Sequence, residues 1–321
     1  MPRTKLITRI RVTGYSYVQG GLNLIATKSV PSPYNPPLKY LAHELENLGK
    51  IQPDQRLDIA LVQAKPETRD ITTFTFELQD GKTVDIVPGQ HAILDFSSEN
   101  DNGYRHMADE APQSLNDDFM RSWTISSIPE IDDNGEYLPS NRFSCTIKNK
   151  YGGAVSPLLH RWARRSTLHR MELQIKFVGV EGAFTCFDAC HRLKYQKLLF
   201  IAGGIGITPF MCMLEVLRKK NVKTDVVMLF SGRGEETKLA EQFKDVGVNT
   251  TIFDTIKDED GESSEGLLAR RISYEDIAGI PDIRSRGVYL CGPDGFMLAV
   301  KGYLEKAGVD AGQVYVESFA F

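Results

Sequence analysis

Residues 198–214 read LLFIAGGIGITPFMCML, an apolar run of strand length that breaks at Gly203, Gly204 and Gly206 and resumes in a helical pattern. Glycine has no Cβ, so a backbone built from it approaches a ligand closely. A helix that starts directly behind presents unpaired N–H groups and the positive end of its dipole. Thr208 and Pro209 suit the first helical turn, because a hydroxyl can cap it and proline lacks only an N–H that has no partner there. Alone, the glycines fit two readings: a tightly packed strand-to-helix turn, and a cradle for a dinucleotide diphosphate.

The arrangement recurs at residues 287–304, GVYLCGPDGFMLAVKGYL, where a strand ends in Cys291, Gly292 and Pro293 and a helix follows. Between the two stretches, DVVMLFS (225–231) and TTIFDT (250–255) alternate with helical patterns such as PFMCMLEVLRKK (209–220). That alternation predicts βαβ units and a parallel sheet from about residue 195 onwards. Ligands of such a sheet gather at the carboxyl ends of its strands, so both turns are expected to face one crevice. A buried cysteine is by default a small core residue; its place at a strand end gives Cys291 a second reading, as part of that crevice.

Toward the N-terminus the texture changes. LDIALVQAK (57–65), ITTFTFEL (71–78), HAILDF (91–96), SWTISS (122–127), RFSCTIK (142–148) and LQIKFVGV (173–180) are short and rich in β-branched and aromatic residues. Six such runs suit a small antiparallel barrel. The polar stretch 97–118 has neither period, and loops of that length are usually functional or mobile. In RSWTISS (121–127), Arg121 and Trp123 share one strand face; one offers a fork of donors to a diphosphate, the other an aromatic surface. The same residues also suit an ordinary strand. YGGAVSPLLHRW (151–162) places Gly152 and Gly153 before a helix with Ser156 in its first turn, again a setting for a phosphate. His160 on that helix has no named partner and is read as structural.

A chain of 321 residues suggests two domains. The expected division is an arm or linker over 1–55, a barrel over 56–190 and an α/β domain over 191–321. In the arm, Leu6, Thr8, Ile10 and Val12 alternate as a strand, PSPYNPP (31–37) forbids regular structure, and Leu38, Leu41, Leu45 and Leu48 line one face of a helix ending at Gly49. The net charge of -4 gives no general attraction for nucleic acid or anionic lipid. No apolar run approaches the roughly 20 residues of a membrane span. MPRTKLITRIRVTG lacks the apolar core of a secretory signal, so a cytoplasmic location is expected. Five cysteines, an odd number, read as reduced thiols rather than a disulfide framework. Cys186 and Cys190 form a lone C-x3-C, which fits neither iron–sulfur nor zinc spacing, so no metal is expected.

GGIGITP and CGP at this separation, preceded by RSWTISS, GGAVS and GVEGAF (179–184), resemble the motifs of the ferredoxin-NADP reductase family, in family order over roughly residues 57–321. The resemblance implies a six-stranded antiparallel flavin-binding barrel followed by a parallel-sheet nicotinamide-binding domain. It implies FAD and NAD(P)H as cofactors, with hydride passing from nicotinamide to flavin N5 and electrons onward to an external acceptor. Carried over, Arg121, Ser122, Trp123 and Thr124 meet the flavin, with tryptophan where tyrosine is commonest, and Gly153, Ala154, Val155 and Ser156 hold its diphosphate. Gly203, Gly204, Gly206, Thr208, Pro209, Cys291, Gly292 and Pro293 form the nicotinamide side, Cys291 positioning the ring. In VYVESFAF (314–321), Glu317 and Phe319 or Phe321 lie beside the flavin ring, while Val314 and Val316 suit a last strand. Thr124, Cys291 and Glu317 are then the residues at the reacting atoms. Ser231 and Arg233 suit a ribose 2′-phosphate whereas Glu235 and Glu236 repel one, which leaves NADH and NADPH both open.

The acceptor is a haem or iron–sulfur protein, a quinone, free flavin or a small molecule. Two other readings stand beside this one: a flavin relay or docking module without catalysis, and an FAD enzyme acting on a small metabolite, with the loop at 97–120 shaping its pocket. SPYNPPLKYLAHEL resembles a segment of fungal-type oxidoreductases that fuse a pyridoxamine-phosphate-oxidase-like split barrel to this module.

Overall fold

The structure, a computed structural model, describes residues 8–12, 15–19, 56–100, 119–165, 173–188, 191–255 and 267–318. Strands β1 (Thr8–Val12) and β2 (Tyr15–Gln19) form an antiparallel hairpin, so the expected first strand has a partner that the sequence reading did not assign. The proline-rich stretch, the helix expected near residue 38 and nearly all of the loop at 97–118 lie outside the described residues.

The next six long strands are β3 (Leu57–Pro66), β4 (Ile71–Leu78), β5 (His91–Asp95), β6 (Met120–Thr124), β9 (Arg142–Lys148) and β10 (Ile175–Glu181), with a two-residue hairpin β7 (Glu130–Ile131) and β8 (Tyr137–Leu138) between. They pair antiparallel in the order β6-β5-β10-β3-β4-β9. The sheet closes on itself: Ile125, directly after β6, bridges Cys145 on β9, and the Ser126 N–H donates to the Ser144 carbonyl at 2.8 Å. Closure removes unpaired strand edges. ITTFTFEL shows how the sequence encodes this, since Ile71, Phe74, Phe76 and Leu78 are buried, while Thr73 and Thr75 pair through hydroxyls with Thr146 and Ser144, each at 2.9 Å. Helix α1 (Ser156–Arg165) packs Val155, Leu159 and Trp162 into the barrel core.

The second sheet is parallel, in the order β14-β13-β12-β11-β15-β16. Its strands are β11 (Lys197–Gly203), β12 (Asp225–Gly232), β13 (Asn249–Asp254), the two-residue β14 (Leu267–Leu268), β15 (Gly287–Gly292) and β16 (Val314–Ser318). Helices α2 (Thr208–Lys219), α3 (Lys238–Asp245), α4 (Tyr274–Ala278) and α5 (Asp294–Lys306) belong to it. Phe200 joins one core cluster with Phe210, Met228 and Tyr289, while its neighbours Leu199 and Ile201 join another with Leu229, Ile277 and Val300. Burial on both faces is why the strand reads as the continuous apolar run LLFIA. Successive strands spread from β11 to one side as β12, β13 and β14, and to the other as β15 and β16. The order therefore reverses between β11 and β15, the place where such sheets leave a crevice.

Candidate cofactor cleft

The turns after β11 and β15 meet at that reversal. Strand register sets Gly203 beside Ser231, and Cys291 between Ala202 and Glu317. A Cβ on Gly206 would lie 2.5 Å from the Cys291 carbonyl oxygen and 2.8 Å from the Gly292 nitrogen, closer than any side chain permits. On Gly203 it would lie 2.8 Å from the Phe296 ring. Gly204 has φ +54, a conformation glycine adopts without strain. The residues 204–207 form a 3₁₀ turn that feeds α2 directly.

Thr208 does not cap α2 as expected. The N-cap is Ile207, and the Thr208 hydroxyl donates back to the Ile205 carbonyl at 3.1 Å. The preceding 3₁₀ turn accounts for this, because it brings that carbonyl within reach of the hydroxyl before the helix begins. Thr208 and Pro209 are both buried, so they shape the turn from behind. Pro293 is the N-cap position of α5 and is exposed.

From the barrel, β6 brings Ser122 opposite Ile93, Thr124 opposite His91 on β5, and Arg121 and Trp123 opposite Leu94 and Ala92. Thr124 is buried, and its Oγ1 has no hydrogen-bond partner among the described residues. His91 Nδ1 lies 3.7 Å from Glu317 Oε1 on β16 of the other sheet. The second carboxylate oxygen, Glu317 Oε2, is buried and without a hydrogen-bond partner among the described residues. Thr124, His91, Glu317 and Cys291 thus form one connected row running from the barrel into the parallel sheet. Desolvation and the nearby Glu317 carboxylate hold the fully buried Cys291 thiol well above its ordinary range, so it is a neutral thiol and no nucleophile. Unpaired buried polar atoms are costly and rare; Thr124 Oγ1 and Glu317 Oε2 are two such atoms, one on the barrel and one on the parallel sheet.

The second glycine turn is built as the sequence implied. Gly152 has φ +81, the Gly153 N–H donates to the Lys150 carbonyl at 2.9 Å, and Ser156 Oγ accepts the Lys150 N–H at 3.0 Å. Ala154 is half-buried and Val155 is in the core, so the cleft can meet Val155 through its backbone alone. The first turn of α1 carries no acidic residue, as an anion site requires. Trp123 packs edge-on against Phe96, ring centroids 5.6 Å apart, and against the barrel core. Arg121 is half-buried and donates to the Met120 carbonyl at 2.6 Å. Phe319 and Phe321 lie outside the described residues.

Two residues near the cleft were not singled out from the sequence. His91 sat unremarked inside a strand pattern; the signal was the turn Pro88-Gly89-Gln90 before it, whose Gly89 has φ +95 and abuts the Phe184 carbonyl. Asn149, one residue before the Lys150 turn, has a buried Oδ1 with no partner among the described residues. Beyond β12, Arg233 is exposed, while its N–H donates to Glu236 Oε2 at 2.9 Å and the Gly234 N–H to Asp254 Oδ1 at 3.1 Å. Glu236 also pairs with Lys148 of the barrel, and Cys212 Sγ on α2 bonds the Ser127 carbonyl at 3.1 Å, so several contacts join the two sheets.

Residues 200–302 match the family described as the oxidoreductase NAD-binding domain. Over 269 residues the chain is 29% identical to the glycine betaine monooxygenase reductase subunit of Pseudomonas aeruginosa, an alignment covering 81% of this chain and 63% of that protein. The chain thus spans less than two thirds of that relative's length. Among solved structures it is similar to the flavohem-like FAD/NAD binding domain of nitric oxide dioxygenase from Vibrio cholerae, with TM-score 0.60 at 20% identity over 83% of this chain and 99% of that one. A ferredoxin NADP+ reductase from Neisseria gonorrhoeae, solved with FAD and NADP, gives TM-score 0.58 at 16% identity, covering 83% and 99%. Barrel, parallel sheet and matched NAD-binding domain occur here in one order, so the chain has the two-part fold of these solved structures, and its residues 200–302 match the oxidoreductase NAD-binding domain.

Proposed function

We propose that this chain is a flavin-dependent NAD(P)H oxidoreductase that passes electrons to an external acceptor. The observation that carries the proposal is the pair of buried, unpartnered atoms, Thr124 Oγ1 on the barrel and Glu317 Oε2 on the parallel sheet, linked through His91, the strand partner of Thr124 and 3.7 Å from Glu317. FAD fits those walls: Thr124 supplies a hydroxyl to the ring edge, Arg121 and the turn Gly153 to Ser156 supply donors to a diphosphate, and Trp123 with Ser122 borders the bound group. The dinucleotide is held by Gly203, Gly204, Gly206, Gly292 and Pro293, with Thr208 and Pro209 shaping the turn and Ser231 and Arg233 beside the adenosine ribose. Bound together, the two cofactors supply hydride transfer and onward electron delivery. The protein's own part is to align the rings and exclude water. Cys291 acts by shape, since its thiol stays protonated.

The test is anaerobic mixing of the flavin-loaded protein with NADH and NADPH in turn, following loss of the flavin's visible absorbance. Bleaching with at least one is expected, and none with either overturns the function. Cys291→Ala is expected to slow bleaching about tenfold with flavin content unchanged, because a void replaces a positioning contact. As burial raises the thiol's titration, the parent's reduction rate is expected to show no thiolate step between about pH 6 and 8. A rate that rises through that window and flattens in Cys291→Ala would show a working thiolate instead.

Electrons leave to a partner or a small acceptor. The relatives named as reductase subunits, for glycine betaine monooxygenase and for stachydrine N-demethylase, favour a separate monooxygenase or demethylase protein as recipient. Among the described residues no cluster of three or more His, Cys, Asp or Glu is arranged for a metal, and no helix is long and apolar enough to cross a membrane.

A further inference from the structure

The geometry points to His91 as a positioning residue for Glu317: an imidazole on the barrel that fixes, from the opposite sheet, the carboxylate at the ring site. The inference rests on the flavin–nicotinamide reading above and extends it to a residue outside the motifs that suggested it.

Three observations carry it. His91 Nδ1 faces Glu317 Oε1 at 3.7 Å, and Glu317 is the register partner of Cys291, so the contact reaches the turn that faces Gly206. Glu317 Oε2 is buried without a hydrogen-bond partner among the described residues. At that distance the imidazole and Oε1 are within ion-pair range rather than hydrogen-bonded, and the carboxylate keeps a second, unpartnered acceptor whose direction follows from where the first oxygen lies. The imidazole is itself seated: a Cβ on Gly182, where φ is +111, would lie 3.0 Å from His91 Nδ1, so the ring occupies space that only glycine leaves open.

Stability does not explain this contact. The two side chains keep 21% and 13% exposure, and a pair with that much access to water at 3.7 Å contributes little to folding. Orientation is different, since misplacing a group at a reacting centre by about 1 Å can lower a rate a hundredfold. The other residues facing His91 are Thr124 and Glu181, its neighbours on β6 and β10. Glu317 comes from the nicotinamide side, so His91 links the two halves of the site.

The experiment compares His91→Leu and His91→Asn with the parent. Leucine is expected to lower the limiting rate of flavin reduction at saturating nicotinamide about tenfold, with the nicotinamide dissociation constant unchanged. Asparagine, which restores an N–H donor near the Nδ1 position, is expected to return most of that rate. A second readout needs no cofactor: in the flavin-free protein the ring proton resonances of His91 are expected to move on Glu317→Gln. A parent that neither NADH nor NADPH reduces overturns the underlying function. A parent that reacts, with a His91→Leu variant equally fast or an asparagine variant as slow as leucine, overturns the role of His91 alone, as do ring resonances that ignore Glu317→Gln.

Discussion

Gly206→Ala is expected to lower nicotinamide-dependent flavin reduction by about two orders of magnitude while the protein keeps its flavin. The added methyl would sit 2.5 Å from the Cys291 carbonyl oxygen, 2.7 Å from its carbon and 2.8 Å from the Gly292 nitrogen. All three are backbone atoms of a fully buried strand, so no flexible side chain can yield. The 3₁₀ turn and the end of β15 must separate, which displaces the turn proposed to cradle the dinucleotide and the thiol beside it. The three nearest atoms all belong to β15 of the parallel sheet, so flavin content should be unaffected. Gly204 offers a contrast: its nearest neighbour to an added Cβ is Glu236 Oε2 at 3.6 Å. Alanine there meets only the left-handed backbone at φ +54, a strain of roughly 1–2 kcal/mol. Stopped-flow reduction of both variants checks the ranking; a Gly206→Ala protein as fast as the parent would mean that the two turns do not need this close approach.

That contrast shows where the sequence was informative. LLFIAGG and VYLCGP announced buried parallel strands because burial on both faces leaves no polar alternation, and ITTFTFEL announced a barrel strand because one face only is buried. Strand direction was legible to the same degree, because helical patterns between apolar runs imply parallel crossovers; the lateral order followed only from the pairing. The roles inside the turn were not. Thr208 looked like a cap, yet an intervening 3₁₀ turn moved the helix start so that its hydroxyl bonds Ile205. Two-residue strands such as Leu267–Leu268 and Glu130–Ile131 carry too few residues for any period to register.

The ring site was half legible. Thr124, Cys291 and Glu317 each sit in a motif, and their register partners followed only from pairing. His91 is separated from Glu317 by 226 positions in the chain, and nothing local to either predicts that the barrel and the last strand meet there. The ties between the sheets have the same character: Lys148 with Glu236, and Cys212 with the Ser127 carbonyl. Arg286 is a further case, an arginine buried before β15 that donates to the carbonyls of Pro281, Leu198 and Asp225 and to the Asp225 carboxylate. A charged residue becomes readable as core only once the carbonyls around it are known.

Arg121→Ala is expected to weaken flavin binding by at least about a hundredfold, the second of the two largest effects and one confined to the barrel. A diphosphate placed between β6 and the Lys150–Ser156 turn would meet two kinds of donor, the guanidinium fork and the N–H groups opening α1. The helix end contributes modestly, on the order of 1 kcal/mol. A bidentate, charge-assisted pair in a partly buried place contributes more, which makes Arg121 the larger share. Arg121→Lys should fall between parent and alanine, because an ammonium keeps the charge and loses the fork. Arg121 is half-buried and donates to the adjacent Met120 carbonyl; a flavin-free melting temperature near the parent's is the control that separates lost binding from lost folding. The parallel sheet should be untouched, so binding of a nicotinamide-free fragment such as ADP-ribose should match the parent by calorimetry. If alanine binds flavin as tightly as arginine, the diphosphate is held elsewhere, and the donors of the Lys150–Ser156 turn become the next place to substitute.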